Sequence, residues 1–124
     1  MKLTQNFSLE EFNCKDGTDV PEKYYPNVLK VAENLEVLRE YLKRPIIISG
    51  SGYRTKKHNI KVGGAPKSQH LTASAADISV HGLSPMQIAE AIETLIEKGK
   101  MQQGGMGVYP TFVHYDIRGT KARW

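Results

Sequence analysis

Val28, Val31, Ala32, Leu35, Leu38 and Leu42 recur at intervals of three and four, which puts them on one stripe of a helix running from Asn27 to about Lys43. Pro45 ends that pattern. Ile46-Ile47-Ile48 is β-branched and apolar on both faces, and so predicts a buried strand. Further on, Ala75-Ala76-Asp77-Ile78-Ser79-Val80 alternates, with Ala75, Asp77 and Ser79 on one face and Ala76, Ile78 and Val80 on the other. Phe112 to Ile117 alternates as well, setting Phe112, His114 and Asp116 against Val113, Tyr115 and Ile117. Helical spacing returns in Ile88, Ala91, Ile92, Leu95 and Ile96. Their helix opens at Ser84-Pro85-Met86-Gln87, with serine as cap, proline at the first helical position and glutamine closing a capping box, and stops at Gly99.

Weaker signals complete the outline. Ser8-Leu9-Glu10-Glu11 is a capping box for a short helix ending near Asn13, and Lys15 to Pro26 reads as a loop whose acidic residues serve turns. Lys56-Lys57-His58-Asn59 predicts a helical turn. The glycines of Gly104-Gly105-Met106-Gly107-Val108-Tyr109 predict a strand crowded against something, and Pro110-Thr111 turns it into the His114 strand as a hairpin. The order helix, helix, strand, strand, helix, strand, strand implies an α+β domain: a small antiparallel sheet with helices packed on one face and a metal site on the other.

The chain has 124 residues, enough for one domain spanning residues 1–124 and too few for two. No apolar run approaches the length of a bilayer span, and Met1 to Asn6 lacks the apolar core of a secretory signal, so the compartment stays unknown and any release would need another route. Cys14 is the single cysteine, which excludes an internal disulfide and predicts a partly buried small residue. The formal net charge of +4 admits an acidic polymer as partner. Its basic residues are scattered, densest at Lys56-Lys57 and Lys121-Ala122-Arg123, so neither specific nucleic-acid binding nor a membrane partner is expected. A monomer is expected.

The chemistry concentrates in Ser68-Gln69-His70-Leu71-Thr72-Ala73-Ser74-Ala75-Ala76-Asp77. An imidazole and a carboxylate are both competent zinc ligands, and catalytic zinc sites take three protein ligands and leave a fourth position open. If the two alternating strands are neighbours, Asp77 and His114 stand side by side and His70 arrives on the preceding loop. The competing account is that Asp77 merely satisfies backbone donors at a strand end. Two further histidines read as bystanders: His58 lacks an acidic partner at a ligand-like spacing, and His81 precedes Gly82 at a strand end.

Ser68-x-His70-x4-Ala75-x-Asp77 followed by Val113-His114-Tyr115-Asp116 resembles the zinc D-Ala-D-Ala metallopeptidases, whose fold is shared with lysostaphin-type peptidases and the hedgehog signalling domain. Ser51-Gly52-Tyr53-Arg54-Thr55, Val62-Gly63-Gly64-Ala65 and Gly104 to Tyr109 follow the same family in order and spacing, from about Asn6 to the C-terminus. The resemblance implies a Zn2+ held by His70, Asp77 and His114. It also implies a substrate contact or carbonyl-polarising role for Arg54, and substrate binding by Ser68 and Tyr109. The implied reaction is hydrolysis of amide bonds in peptidoglycan stem peptides or cross-links, as a DD-carboxypeptidase or an endopeptidase of the phage endolysin kind; the alternative is a non-catalytic zinc-containing module that recognises wall peptide or a protein partner. Two positions depart from the family. Ala73 stands where many relatives have glycine, and Thr111 stands where several branches carry an acid three residues before the last histidine. Asp116 is then the candidate proton acceptor, on the His114 face and about 7 Å along the strand, or else a carboxylate that orients a ligand.

Overall fold

The computed structural model describes residues 1–124. A 3-10 turn over Leu9–Phe12 leads through a long loop to helix α1, Tyr25–Leu42. There follow strand β1 (Ile47–Ile48), helix α2 (Lys56–Lys61), a 3-10 turn over Gln69–Thr72, strand β2 (Ala75–Ser79), helix α3 (Pro85–Glu97) and three strands, β3 (Gly105–Val108), β4 (Val113–Asp116) and β5 (Ala122–Arg123). No helix is long and apolar enough to cross a membrane.

Helices α2 and α3 begin at capping side chains, Thr55 and Ser84. Ser84 Oγ accepts from the Gln87 amide at 3.2 Å while Gln87 Oε1 accepts from the Ser84 amide at 2.9 Å, and at the first turn Glu11 Oε1 accepts from the Ser8 amide at 2.9 Å and from its hydroxyl at 3.3 Å. α1 ends at Lys43 in a left-handed conformation, φ 57°. Ala73, with φ 56°, does the same after the 3-10 turn that bears His70. That backbone favours glycine, which explains why a glycine suits this position and implies a local cost of about 1 kcal/mol for the methyl group.

The sheet is ordered β1-β2-β4-β3-β5. Its first four strands pair antiparallel, with Asp77 opposite His114, Ala76 opposite Tyr115 and Ile78 opposite Val113. β5 adds a parallel edge beside β3, an element that no periodicity in Arg118 to Trp124 forecasts. Alternation assigns the faces. Ile78, Val113 and Tyr115 point to the helix side, where Val28, Leu35 and Ile92 are also fully buried. Removing such a side chain from water contributes about 1.5–3 kcal/mol each. The opposite face presents Asp77, His114 and Asp116, which are buried as well: the Gln69–Thr72 turn and the Ser49–Arg54 segment lie against Asp77, Trp124 against His114 and Arg118 against Asp116.

The crowding expected of the glycine strand is real. A Cβ on Gly105 would run into the Asp116 carboxylate, and one on Gly107 into the Trp124 indole. Two bare positions on β3 therefore create the space in which an acid and an aromatic ring sit beside His114.

Candidate metal centre

Backbone pairing brings the strand-borne residues together. Asp77 and His114 are direct cross-strand partners, and His70 enters from the 3-10 turn, whose carbonyl accepts from the Arg54 amide at 2.9 Å. Cross-strand neighbours hold their Cβ atoms about 4.5–5.5 Å apart, so the side chains must meet. His70 Nε2 lies 3.2 Å and His114 Nδ1 3.4 Å from Asp77 Oδ1. The two imidazoles stand edge to face, centroids 5.0 Å apart.

The remaining atoms of each residue determine where the protons are. His70 Nδ1 is 2.7 Å from the Gly52 carbonyl, which can only accept, so Nδ1 carries the hydrogen and Nε2 turns its lone pair inward. His114 Nε2 is 2.7 Å from Asp116 Oδ2, again an acceptor, so its Nδ1 also turns inward. Asp77 Oδ1 faces both, while its Oδ2 accepts from the Ser51 amide at 3.3 Å and lies 3.6 Å from Arg54 Nη2. Three acceptors thus converge with no donor among them, and only a cation, a proton or a metal, relieves their repulsion. Burial alone would raise the Asp77 pKa, but with a proton shared into the cluster, contacts to His114 and His70 outweigh it and hold the carboxyl well below its usual range. Burial would likewise lower the His114 pKa, yet bonding to Asp116 and Asp77 raises it.

The donor set fits a tetrahedral cation. At metal–ligand distances of about 2.0–2.1 Å, tetrahedral coordination separates donors by about 3.3–3.4 Å; the two separations from Asp77 Oδ1, 3.2 and 3.4 Å, match, and the two ring nitrogens lie within 4.8 Å of each other.

Asp116 is wholly buried and its oxygens are engaged: Oδ1 accepts from the Gly105 amide at 2.8 Å and from Arg118 Nε at 2.9 Å, and Oδ2 from Arg118 Nη2 at 2.8 Å as well as from His114. Burial opposes its ionisation, but His114 and Arg118 hold its pKa well below the usual range. It lies behind His114 as seen from Asp77, on the ring nitrogen remote from the cluster.

A cleft of about 500 Å³ opens over the cluster, lined among others by Arg54, Ser68, Lys67, Tyr109 and Trp124. The two substrate-contact candidates Ser68 and Tyr109 therefore both reach it. Arg54 is tethered by Ser51 Oγ at 2.8 Å and Asn59 Oδ1 at 3.2 Å. Ser68 Oγ also accepts from the His70 amide at 3.2 Å. Thr111 is exposed in the β3–β4 turn and does not line the cleft, and Asp77 is the sole carboxylate that does. Two wall residues carry no functional signal in the sequence, where Trp124 reads as packing. Arg118 clamps Asp116, and Trp124, half exposed, packs its ring 4.9 Å from that of His114 and donates to Tyr109 Oη at 2.7 Å. Gly107, the bare position against which the indole lies, is the only trace of Trp124's place in the sequence.

Among known proteins, the family model described as Peptidase M15 matches residues 3–116. No curated protein and no solved structure matches the chain. The match covers nearly the whole sequence, and the chain belongs to the Peptidase M15 family of metal-dependent peptidases, which act on peptide substrates.

Proposed function

We propose that the chain is a zinc-dependent peptidase hydrolysing amide bonds in peptidoglycan stem peptides or cross-links, as a DD-carboxypeptidase or an endopeptidase of the endolysin kind. The observation that carries this reading is the convergence of His70 Nε2, Asp77 Oδ1 and His114 Nδ1, three acceptors without a donor, on the floor of the cleft. When bound there, zinc supplies Lewis acidity toward a peptide carbonyl and a water molecule.

The chain's own residues do the rest. Gly52 O and Asp116 keep the two imidazoles in the tautomers and orientations that leave a lone pair for the cation. Arg54 points its guanidinium into the cleft from a three-point tether, suited to a substrate carboxylate or to charge developing on the carbonyl oxygen. Ser68 and Tyr109 offer hydroxyls to the peptide backbone. Asp116 acts through His114: its burial and its clamp to Arg118 favour an orienting role over proton abstraction from a water in the cleft.

The scarcity of carboxylates in the cleft favours a second reading, a zinc-containing module that binds wall peptide without cutting it. Incubating the zinc-loaded protein with purified peptidoglycan and identifying released fragments by mass spectrometry separates the two. Fragments with new amine and carboxyl ends support the peptidase and their masses identify the bond. Retention of the protein on intact peptidoglycan with no fragments supports the module.

A further inference from the structure

Away from the cleft, Cys14, Asp16 and His58 each offer a ligand atom within 4.8 Å of the other two. The acidic partner that His58 lacks in local sequence is thus supplied by a loop some forty positions upstream. We propose that these residues form a second metal site, for a borderline divalent cation of the zinc class, which staples the N-terminal loop to the first turn of α2.

The local structure orders the donors. The loop folds back through Cys14 N–H to Thr18 O and Gly17 N–H to Cys14 O, both 2.9 Å, with Gly17 at φ 97°. Asp16 Oδ1 accepts from the Thr18 amide at 2.9 Å. Thr55 then meets all three residues: its hydroxyl accepts from the His58 amide at 3.1 Å, donates to Asp16 Oδ2 at 2.8 Å and lies 4.0 Å from Cys14 Sγ. Cys14 is 3 % exposed. The ring nitrogens of His58 have no hydrogen-bond partner in the protein.

The chemistry selects the ion. A sulfur, an imidazole nitrogen and a single carboxylate suit zinc and its neighbours, whereas magnesium and calcium take oxygen ligands. Tetrahedral geometry with sulfur at about 2.3 Å and nitrogen at about 2.0 Å asks for donor separations of about 3.3–3.6 Å. Rotation of the solvent-facing Asp16 and the half-buried His58 closes the difference, and a water completes the shell. Binding displaces the Cys14 thiol proton to solvent. Because Arg54 immediately precedes Thr55, the staple braces the segment that carries the cleft arginine.

Cobalt distinguishes the two clusters, since the sheet cluster contains no sulfur. Metal-free protein is titrated with Co2+ while near-ultraviolet sulfur-to-cobalt charge transfer is followed. Wild type should take up about two ions per chain and develop the band. Cys14→Ser should lose the band and one ion, His58→Ala should bind the sulfur-linked ion at least about 10-fold more weakly, and His114→Ala should keep the band. His58 is half exposed, so its variant is expected to stay folded, and circular dichroism checks this. Uptake of one ion without a band in wild type overturns the proposal, as does a band of unchanged affinity in both His58→Ala and Asp16→Asn. Neither result bears on peptidase activity, which rests on the other cluster.

Discussion

The sheet cluster and the loop cluster hold similar donors by different means. In the first, strand register sets the Cβ atoms of Asp77 and His114, and hydrogen bonds to the remote ring nitrogens aim the lone pairs. All three candidate ligands are buried. In the second, a turn and a six-residue helix bring Cys14, Asp16 and His58 together, with one buried, one half-buried and one exposed, and a threonine hydroxyl holds the Asp16 carboxylate and the His58 amide but neither nitrogen of the His58 ring. Backbone pairing fixes geometry before a metal arrives, whereas side-chain bonds leave part of the ordering to the metal itself. The sheet cluster should therefore bind the more tightly.

The comparison is tested most severely at His114. His114→Ala removes a ligand and leaves Asp77 and Asp116 facing a buried gap, so zinc affinity at the sheet should fall by at least about 100-fold and peptide hydrolysis should vanish with it. Elemental analysis of the purified variant is the check. His81→Ala, on an exposed residue, should retain full zinc. Equal metal in His114→Ala and wild type would refute the assignment.

Asp116→Asn probes the aiming rather than the ligation. An orienting carboxylate predicts that metal affinity and activity fall together, by about 10-fold to 100-fold. A rate loss of about 10²-fold to 10⁴-fold at unchanged affinity would instead make Asp116 the proton acceptor. Adding Thr111→Asp should restore nothing, because position 111 sits in the exposed turn outside the cleft.

Arg54→Lys should cost about 10-fold in turnover while both clusters keep their metals, since an ammonium cannot reproduce the forked contacts to Ser51 and Asn59 and still reach substrate. Wild-type kinetics in that variant would return Arg54 to a purely structural part.

The smallest effect is expected at Asp16 in metal-free protein. Its folded pKa lies below the unfolded value of about 3.9, so its charge contributes stability that is present above that value and is lost as pH falls through the folded pKa. Asp16→Asn should therefore melt slightly lower than wild type at pH 7, and the gap should close in strong acid. Parallel melting curves across pH that never converge would exclude the carboxylate as the source.

Sequence alone determined the elements whose signals are local. The stripe from Val28 to Leu42, the Ser84 capping box and the alternation around Asp77 and His114 each express a backbone preference within a few residues, and the structure realises them with end shifts of about two positions. Because strand faces follow from alternation, the shared face of Asp77, His114 and Asp116 was legible as well. Tertiary structure decided what depends on distant partners. Arg118 closing on Asp116, Trp124 filling the space over Gly107, the parallel edge formed by Ala122–Arg123 and the meeting of Asp16 with His58 all join residues whose approach no periodicity encodes. Asp116 makes the division plain: alternation put it beside His114, but only the packed chain buries it and clamps it to Arg118, the two facts that favour a supporting part over that of a base.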